Sequence, residues 1–175
     1  MPAPTLSASG FQQRLVVGMA DLVVANNPSL TLTTFSLGSC LGVSIYDPLT
    51  RVGGLLHAML PDSSISEEKA HSKPAMFLDT GIPRLLDSAR QMRFDCNRAI
   101  ICVAGGSQIM DTQGFFNIGR RNQDALRELL SRERLRITAH DVGGTVNRTM
   151  SLRLITGEVR LKISGQPEEV SLWKP

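Results

Sequence analysis

The chain has 175 residues and a formal net charge of +3, a length that predicts one domain able to bury a sizeable core without disulfides or metal. Its three cysteines, Cys40, Cys96 and Cys102, form no paired framework, which excludes a disulfide scaffold and points to a reducing, cytoplasmic setting. Arginines gathered at Arg120, Arg121, Arg127, Arg132, Arg134 and Arg136 alternate with Asp124, Glu128 and Glu133, so they read as a solvated helix face suited to an acidic helical partner, with no nucleic-acid partner expected.

Residues 1–13, opening Met1-Pro2-Ala3-Pro4, lack the basic head and apolar stretch of a secretory signal and are expected to be a disordered tail. A single domain is expected over 14–165, with a C-terminal tail at 166–175. No apolar run approaches the roughly 20 residues that span a bilayer, so no membrane insertion is expected. Strand composition predicts strands at 14–17, 30–35, 41–46, 52–60, 98–104 and 135–139, then a hairpin of 151–155 and 158–163 turning at Thr156-Gly157. Two helices fill the intervals. The first, 82–92, aligns Ile82, Leu85, Leu86, Ala89 and Met92 on one stripe; the second, 118–133, aligns Leu126, Leu129 and Leu130. Hairpins with intervening helices predict an α+β class, a layered sandwich of mixed, largely antiparallel sheet with about two main helices.

Within this plan the chemistry gathers around Cys40. It lies in Leu37-Gly38-Ser39-Cys40-Leu41-Gly42, where small neighbours leave its sulfur uncrowded, and His57 follows in the next apolar strand. Asp47-Pro48-Leu49-Thr50 reads as a turn. If Asp47 pairs with Thr50, Cys40 falls directly opposite His57, where Cβ atoms stand about 4.5–5.5 Å apart; a slip of one residue puts the two on opposite faces. A thiol beside an imidazole is the arrangement of an activated nucleophile, since the thiolate attacks and the imidazole can hold it as an ion pair and return the proton to a leaving amine. A third polar group usually orients such a ring, and Thr31, Thr33 and Thr34 are the upstream candidates; alternation puts Thr31 and Thr33 on one face and Leu32 and Thr34 on the other. The competing reading is plain packing, because a free Cys in an apolar strand is commonly a small core residue and a lone His in an apolar run is commonly hydrogen-bonded core.

Other polar positions read more simply. Cys102, inside 99–104, is expected in the core and Cys96 partly exposed. The polar segment 61–74 reads as a mobile surface loop bordering the site, with His71 solvated. His140 reads as structural. The pairs Gly105-Gly106 and Gly143-Gly144 match no dinucleotide or phosphate-loop pattern and read as tight turns. No cofactor or metal is expected, since no ligand spacing surrounds Cys40.

The strings Leu37-Gly38-Ser39-Cys40, Tyr46-Asp47-Pro48 and Gly53-Gly54-Leu55-Leu56-His57-Ala58-Met59-Leu60-Pro61-Asp62-Ser63 resemble the chemoreceptor glutamine deamidase family, CheD. Further matches follow at Asp79-Thr80, Val103-Ala104-Gly105-Gly106, Asn117-Ile118-Gly119-Arg120-Arg121-Asn122, Asp141-Val142-Gly143-Gly144 and Arg148, so that the likeness covers about 16–163. The resemblance implies Cys40 as nucleophile, His57 as base and Thr34 as the third member. It implies conversion of glutamines to glutamates in the cytoplasmic domains of methyl-accepting chemoreceptors, and hydrolysis of receptor glutamyl methyl esters by the same thiol. The backbone around Gly38, Ser39, Cys40 and Leu41 would receive the oxyanion. An adaptor role is the alternative, the family being known to bind a chemotaxis phosphatase, with Phe115 and Phe116 as partner contacts. A cysteine peptidase or transglutaminase-like acyl transferase shares the same thiol logic. The chain departs from the family pattern at Gly81-Ile82-Pro83, which requires a helix start near Asp79 or Thr80, and along the loop 107–116.

Overall fold

The computed structural model describes residues 12–109 and 113–175. Among them, two five-stranded sheets stack on one another. The first orders β1 (Gln13–Val16), β3 (Leu30–Leu37), β8 (Arg148–Arg153), β9 (Val159–Ile163) and β10 (Val170–Trp173); the second orders β2 (Asp21–Ala25), β5 (Gly53–Ala58), β4 (Leu41–Tyr46), β6 (Ile100–Gly105) and β7 (Ala139–Val142). Pairing is antiparallel except for β1 with β3 and β6 with β7. Helices α2 (Leu78–Arg90) and α3 (Ile118–Arg132) cover the outer face of the second sheet, and the short α1 (Glu67–Ser72) precedes them. The molecule is therefore the expected α+β sandwich with two main helices.

The second sheet is covered on both faces, which is why β4 and β5 are buried at every position. Period-two alternation divides their side chains. Leu41, Val43, Ile45 and Leu56 join Ile82, Leu85, Leu126 and Leu130 beneath the helices, whereas Tyr46 and Leu55 face Leu32, Leu37, Met150 and Leu152 between the sheets. Cys102 lies in this second layer, fully buried.

Several expectations change. The strand placed at 135–139 begins only at Ala139, because the chain leaving α3 first turns back, with Leu135 N–H donating to the Leu130 carbonyl and Thr138 N–H to that of Ile101. Asp21–Ala25, not predicted as a strand, pairs antiparallel with β5. In the segment expected as a C-terminal tail, Val170–Trp173 pairs with β9. The tail expected at 1–13 lies outside the described residues up to position 11, and Gln13 already belongs to β1. Residues 61–74 carry short helical turns in place of an irregular loop: Asp62 caps a turn at Ser63–Ile65, Ser66 caps α1, and His71 is exposed on α1. α2 starts at Leu78, close to Asp79 and Thr80, yet Pro83 sits in its second turn. That start has no side-chain cap; the Asp79 carboxylate accepts from Ser63 N–H and Oγ–H, and Thr80 Oγ1 donates to the Pro74 carbonyl.

Candidate active site

The β4–β5 hairpin sets the geometry. Its turn is one of four residues, Pro48 to Arg51, because Asp47 N–H donates to the Val52 carbonyl and Arg51, at φ 57°, closes back on the Asp47 carbonyl. Gly42 is consequently the residue opposite His57, and the last rung of the ladder joins Leu41 to Ala58. The predicted direct pairing of Cys40 with His57 is corrected by two residues. A shift of two preserves the face, so Cys40 and His57 are diagonal neighbours on the side that looks toward the first sheet.

His57 is 1% exposed, and Thr34, reaching across from β3, lies 2.7 Å from its Nδ1. The Thr34 hydroxyl also donates to the Val17 carbonyl at 2.7 Å. A hydroxyl has one proton to give; if that proton goes to Val17, Thr34 accepts from Nδ1–H, and the Nε2 lone pair is left open. That Nε2 is buried and, among the described residues, without a hydrogen-bond partner. Burial lowers the imidazole pKa to about 4, so the ring is neutral at physiological pH. The other two threonines lie elsewhere: Thr33 pairs with Ser151 and Thr31 with Gln12.

Cys40 is half-buried and lines a cleft of about 540 Å³ together with Ser36, Gly38, Ser39, Ser107, Gln108, Ile109, Phe116, Ile118, Gly119 and Asn147. Burial pushes its thiol up, and its own backbone N–H pulls it partly back. Both members of the pair are thus held neutral, and the thiol makes no hydrogen bond to His57 Nε2. The ion pair expected from the sequence is not the resting state, because desolvation penalises each charge.

Backbone around the cysteine is tied on one side only. The carbonyls of Gly38, Ser39 and Cys40 accept from Ser107 N–H at 2.8 Å, Asn122 Nδ2 at 3.0 Å and Gly106 N–H at 2.8 Å. In a planar trans peptide the following N–H points the opposite way, which turns the N–H groups of Ser39 and Cys40 away from these partners. Leu41 differs, since alternation from the Asp47–Val52 bond makes Leu41 and Ala58 a hydrogen-bonded pair and directs the Leu41 N–H into the ladder. Gly105, at φ 109°, is required here because a Cβ would overlap the Cys40 carbonyl oxygen. The Gly105-Gly106 pair therefore serves a close backbone approach, and Gly143 N–H donates in turn to the Gly105 carbonyl.

Three supporting residues were given no role from the sequence, although Asn122 and Arg148 fall in the strings that carry the resemblance. Asn122 is buried on α3. Ser107 Oγ lies 2.7 Å from the Val146 carbonyl and 3.0 Å from that of Gly143, with one proton to share between them. Arg148, 5% exposed, pairs with Asp141 at 2.7 Å and donates to Ser107 Oγ and the Gly143 carbonyl, joining the two sheets behind the cleft. For Asn122 a signal existed: it shares an i, i+4 stripe with Ile118, Leu126 and Leu130, and a polar residue on a core stripe needs a reason. Ser36, at φ 58° in the irregularity where the β3–β8 register shifts, carries the chain from Thr34 to the cleft; no pattern in residue types announces that bulge. Phe115 and Phe116 are exposed, 80% and 71%, and Phe116 borders the cleft. In their loop, Met110, Asp111 and Thr112 lie outside the described residues. Chemically, a half-buried thiol, a neutral imidazole with an open lone pair and backbone donors facing a cleft are the parts of an acyl-transfer site.

Comparison with known proteins points the same way. Residues 59–163 match the family model described as CheD chemotactic sensory transduction, a span that begins just past Thr34, Cys40 and His57. A probable chemoreceptor glutamine deamidase CheD of Solibacter usitatus is 41% identical over 90% of this chain and 94% of its own length. One from Syntrophus aciditrophicus is 43% identical over 87% of this chain and 96% of its own, and one from Desulforamulus reducens is 43% identical over 88% and 93%.

Proposed function

Because the chain belongs to the CheD family, we propose that it is a protein-glutamine deamidase acting on the cytoplasmic domains of methyl-accepting chemoreceptors, with both sheets, from β1 to β10, as one working unit. The observation that carries this reading is the buried Thr34–His57 bond at 2.7 Å with Nε2 left open behind a cleft lined by Cys40.

In the proposed reaction the glutamine carboxamide enters the cleft and Cys40 Sγ attacks its carbonyl carbon while His57 Nε2 takes the thiol proton. Attack and proton transfer are coupled, since neither group is charged at rest. The oxyanion is received by the N–H groups of Cys40 and Ser39 beside Gly38. Collapse of the tetrahedral species breaks the C–N bond, and His57 hands its proton to the departing ammonia. Water, deprotonated by the same nitrogen, then cleaves the thioester to give glutamate and restores the thiol. A glutamyl methyl ester would pass through the same thioester with methanol leaving, so ester hydrolysis belongs to the same proposal.

A receptor cytoplasmic domain incubated with the protein and analysed by tandem mass spectrometry tests this. Conversion of glutamine to glutamate with the wild type and none with Cys40→Ser supports it; conversion by a folded Cys40→Ser variant sinks it. The exposure of Phe116 at the cleft rim favours a second role, docking of a chemotaxis phosphatase across the site entrance. Binding that survives Cys40→Ser and fails with Phe116→Ala supports that role; binding indifferent to Phe116 removes the rim from the interface.

A further inference from the structure

The β4–β5 ladder ends one rung short of the nucleophile. Leu41 and Ala58 are its last pair; beyond them Cys40 turns its carbonyl to Gly106, and Met59 and Leu60 both give their N–H groups to the Met76 carbonyl. The two strands that hold Cys40 and His57 would part here. Instead, Asn122 Nδ2 lies 3.0 Å from the Ser39 carbonyl and 3.0 Å from the Met59 carbonyl, one residue before Cys40 and two after His57.

A primary amide nitrogen has two protons and no charge, which suits it to bridge two carbonyl oxygens. Serine or threonine gives one proton, aspartate none, and lysine would bury a charge. The amide cannot be reversed, because Oδ1 would then face both carbonyls. In this orientation Oδ1 is itself buried without a partner among the described residues, a cost that a residue kept only for packing would not incur. Leucine would have continued the stripe of Leu126 and Leu130. α3 reaches the strands through its first turn, where a Cβ on Gly119 would overlap the carbonyl oxygens of Gly106 and Ser107.

We propose that Asn122 is a positioning residue that replaces the missing rung and holds the nucleophile strand and the base strand in register; this rests on the assignment of Cys40 and His57 above. Its amide touches neither substrate nor sulfur. It fixes the Ser39 peptide, hence the direction of the Cys40 N–H, and the distance between Sγ and Nε2.

The test combines Asn122→Ala with His57→Ala, singly and together, and reads receptor deamidation alongside alkylation of Cys40 by iodoacetamide, with Cys96 as internal reference. The expected result for Asn122→Ala is a fall in kcat of about 10–100-fold, the scale of a small misplacement at a reacting centre, with KM held within about twofold. Cys40 alkylation falls while Cys96 alkylation is unchanged. In the His57→Ala background the second substitution changes Cys40 alkylation by less than about twofold, because the pair it positions is already broken. Equal losses in both backgrounds, a raised KM with kcat retained, or faster alkylation of Cys96 would each overturn the proposal. Asn122→Leu, which continues the apolar stripe of Leu126 and Leu130 and removes the donors, gives the same reading if the alanine variant fails to fold. Alkylation needs no receptor, so failure of the underlying assignment is distinguishable: His57→Ala would then leave Cys40 alkylation at the wild-type rate whatever occupies position 122, and the proposal would fall with its premise.

Discussion

The two ends of the β4–β5 hairpin treat buried polar atoms in opposite ways. At the turn, Asp47 is fully buried and its carboxylate is saturated, accepting from Arg98 Nε and Nη2 at 2.9 and 2.7 Å, from Asp95 N–H and from Leu49 N–H. At the open end, His57 Nε2 and Asn122 Oδ1 are buried with no partner among the described residues. One hairpin thus carries a satisfied network that fixes its register and, a few residues away, lone pairs left over for other use. Unsatisfied buried acceptors cost stability, and their concentration beside Cys40 marks where the fold has something besides stability to provide.

The largest way to break this contrast is to remove the open lone pair. His57→Ala is expected to lower kcat for receptor deamidation by about 10²–10⁴-fold, the usual span for a general base, with the protein still folded by circular dichroism. A loss smaller than about tenfold would mean that Nε2 is not the proton acceptor. At the other end, Asp47→Ala is expected to cost about 1–3 kcal/mol in urea unfolding, since it removes the buried carboxylate that accepts from Arg98 and from the N–H groups of Asp95 and Leu49, and to leave kcat unchanged at a temperature where the variant is folded.

The ends also separate along the pH axis. The folded His57 value of about 4 lies below its ordinary 6.5, so from pH 6.5 down to 4 the unfolded chain takes up a proton that the folded chain refuses. Stability contributed by the neutral ring is present above pH 6.5 and is lost through that window, by on the order of 3 kcal/mol. Burial alone would raise the Asp47 carboxyl, but Arg98 and the backbone N–H groups of Asp95 and Leu49 outweigh it and hold it well below the carboxylate range. Its contribution is intact above about pH 4 and is lost only in stronger acid. Urea midpoints measured from pH 8 to pH 3 should fall in two stages. His57→Gln should flatten the upper stage alone, and Asp47→Asn the lower alone.

Smaller still is the effect of Thr34→Val, which keeps volume and removes the hydroxyl. The ring loses the group that holds its Nδ1 proton, and kcat should fall about 10–100-fold, the scale of one buried hydrogen bond of about 1–3 kcal/mol. Thr34→Ser should restore most of it. Equal activities in the serine and valine variants would show that shape, not the hydroxyl, is what position 34 supplies.

Much of this was legible in residue types. Alternation placed Thr34 and Leu32 on one face, the apolar runs located β4 and β5, and the stripe of Leu126 and Leu130 located α3. What was not legible depended on contacts remote in sequence. The turn reads naturally as ending at Thr50, but the Asp47 carboxylate, engaged by Arg98 some fifty positions away, keeps Asp47 in the ladder and widens the turn to Arg51. That moves the partner of His57 from Cys40 to Gly42. The bonds from Ser107, Gly106 and Asn122 to three successive carbonyls likewise join distant segments, and no local pattern reveals them.

The weakest perturbation sharpens the contrast from outside the hairpin. Phe116 lies at the rim of the cleft, 71% exposed. An apolar side chain there can contribute to holding a receptor helix, a contact made in ground and transition states alike, so its loss should appear as uniform binding. Phe116→Ala is expected to raise KM by about 3–10-fold at constant kcat, about 1 kcal/mol, the level that separates an apolar anchor from the near-neutral contacts around it. Iodoacetamide should alkylate Cys40 in this variant at the wild-type rate, because alkylation requires the dyad and not the receptor. A fall in kcat or in alkylation would instead mean that the rim helps hold the Cys40 backbone, and the division between a binding edge and a preset catalytic floor would have to be redrawn.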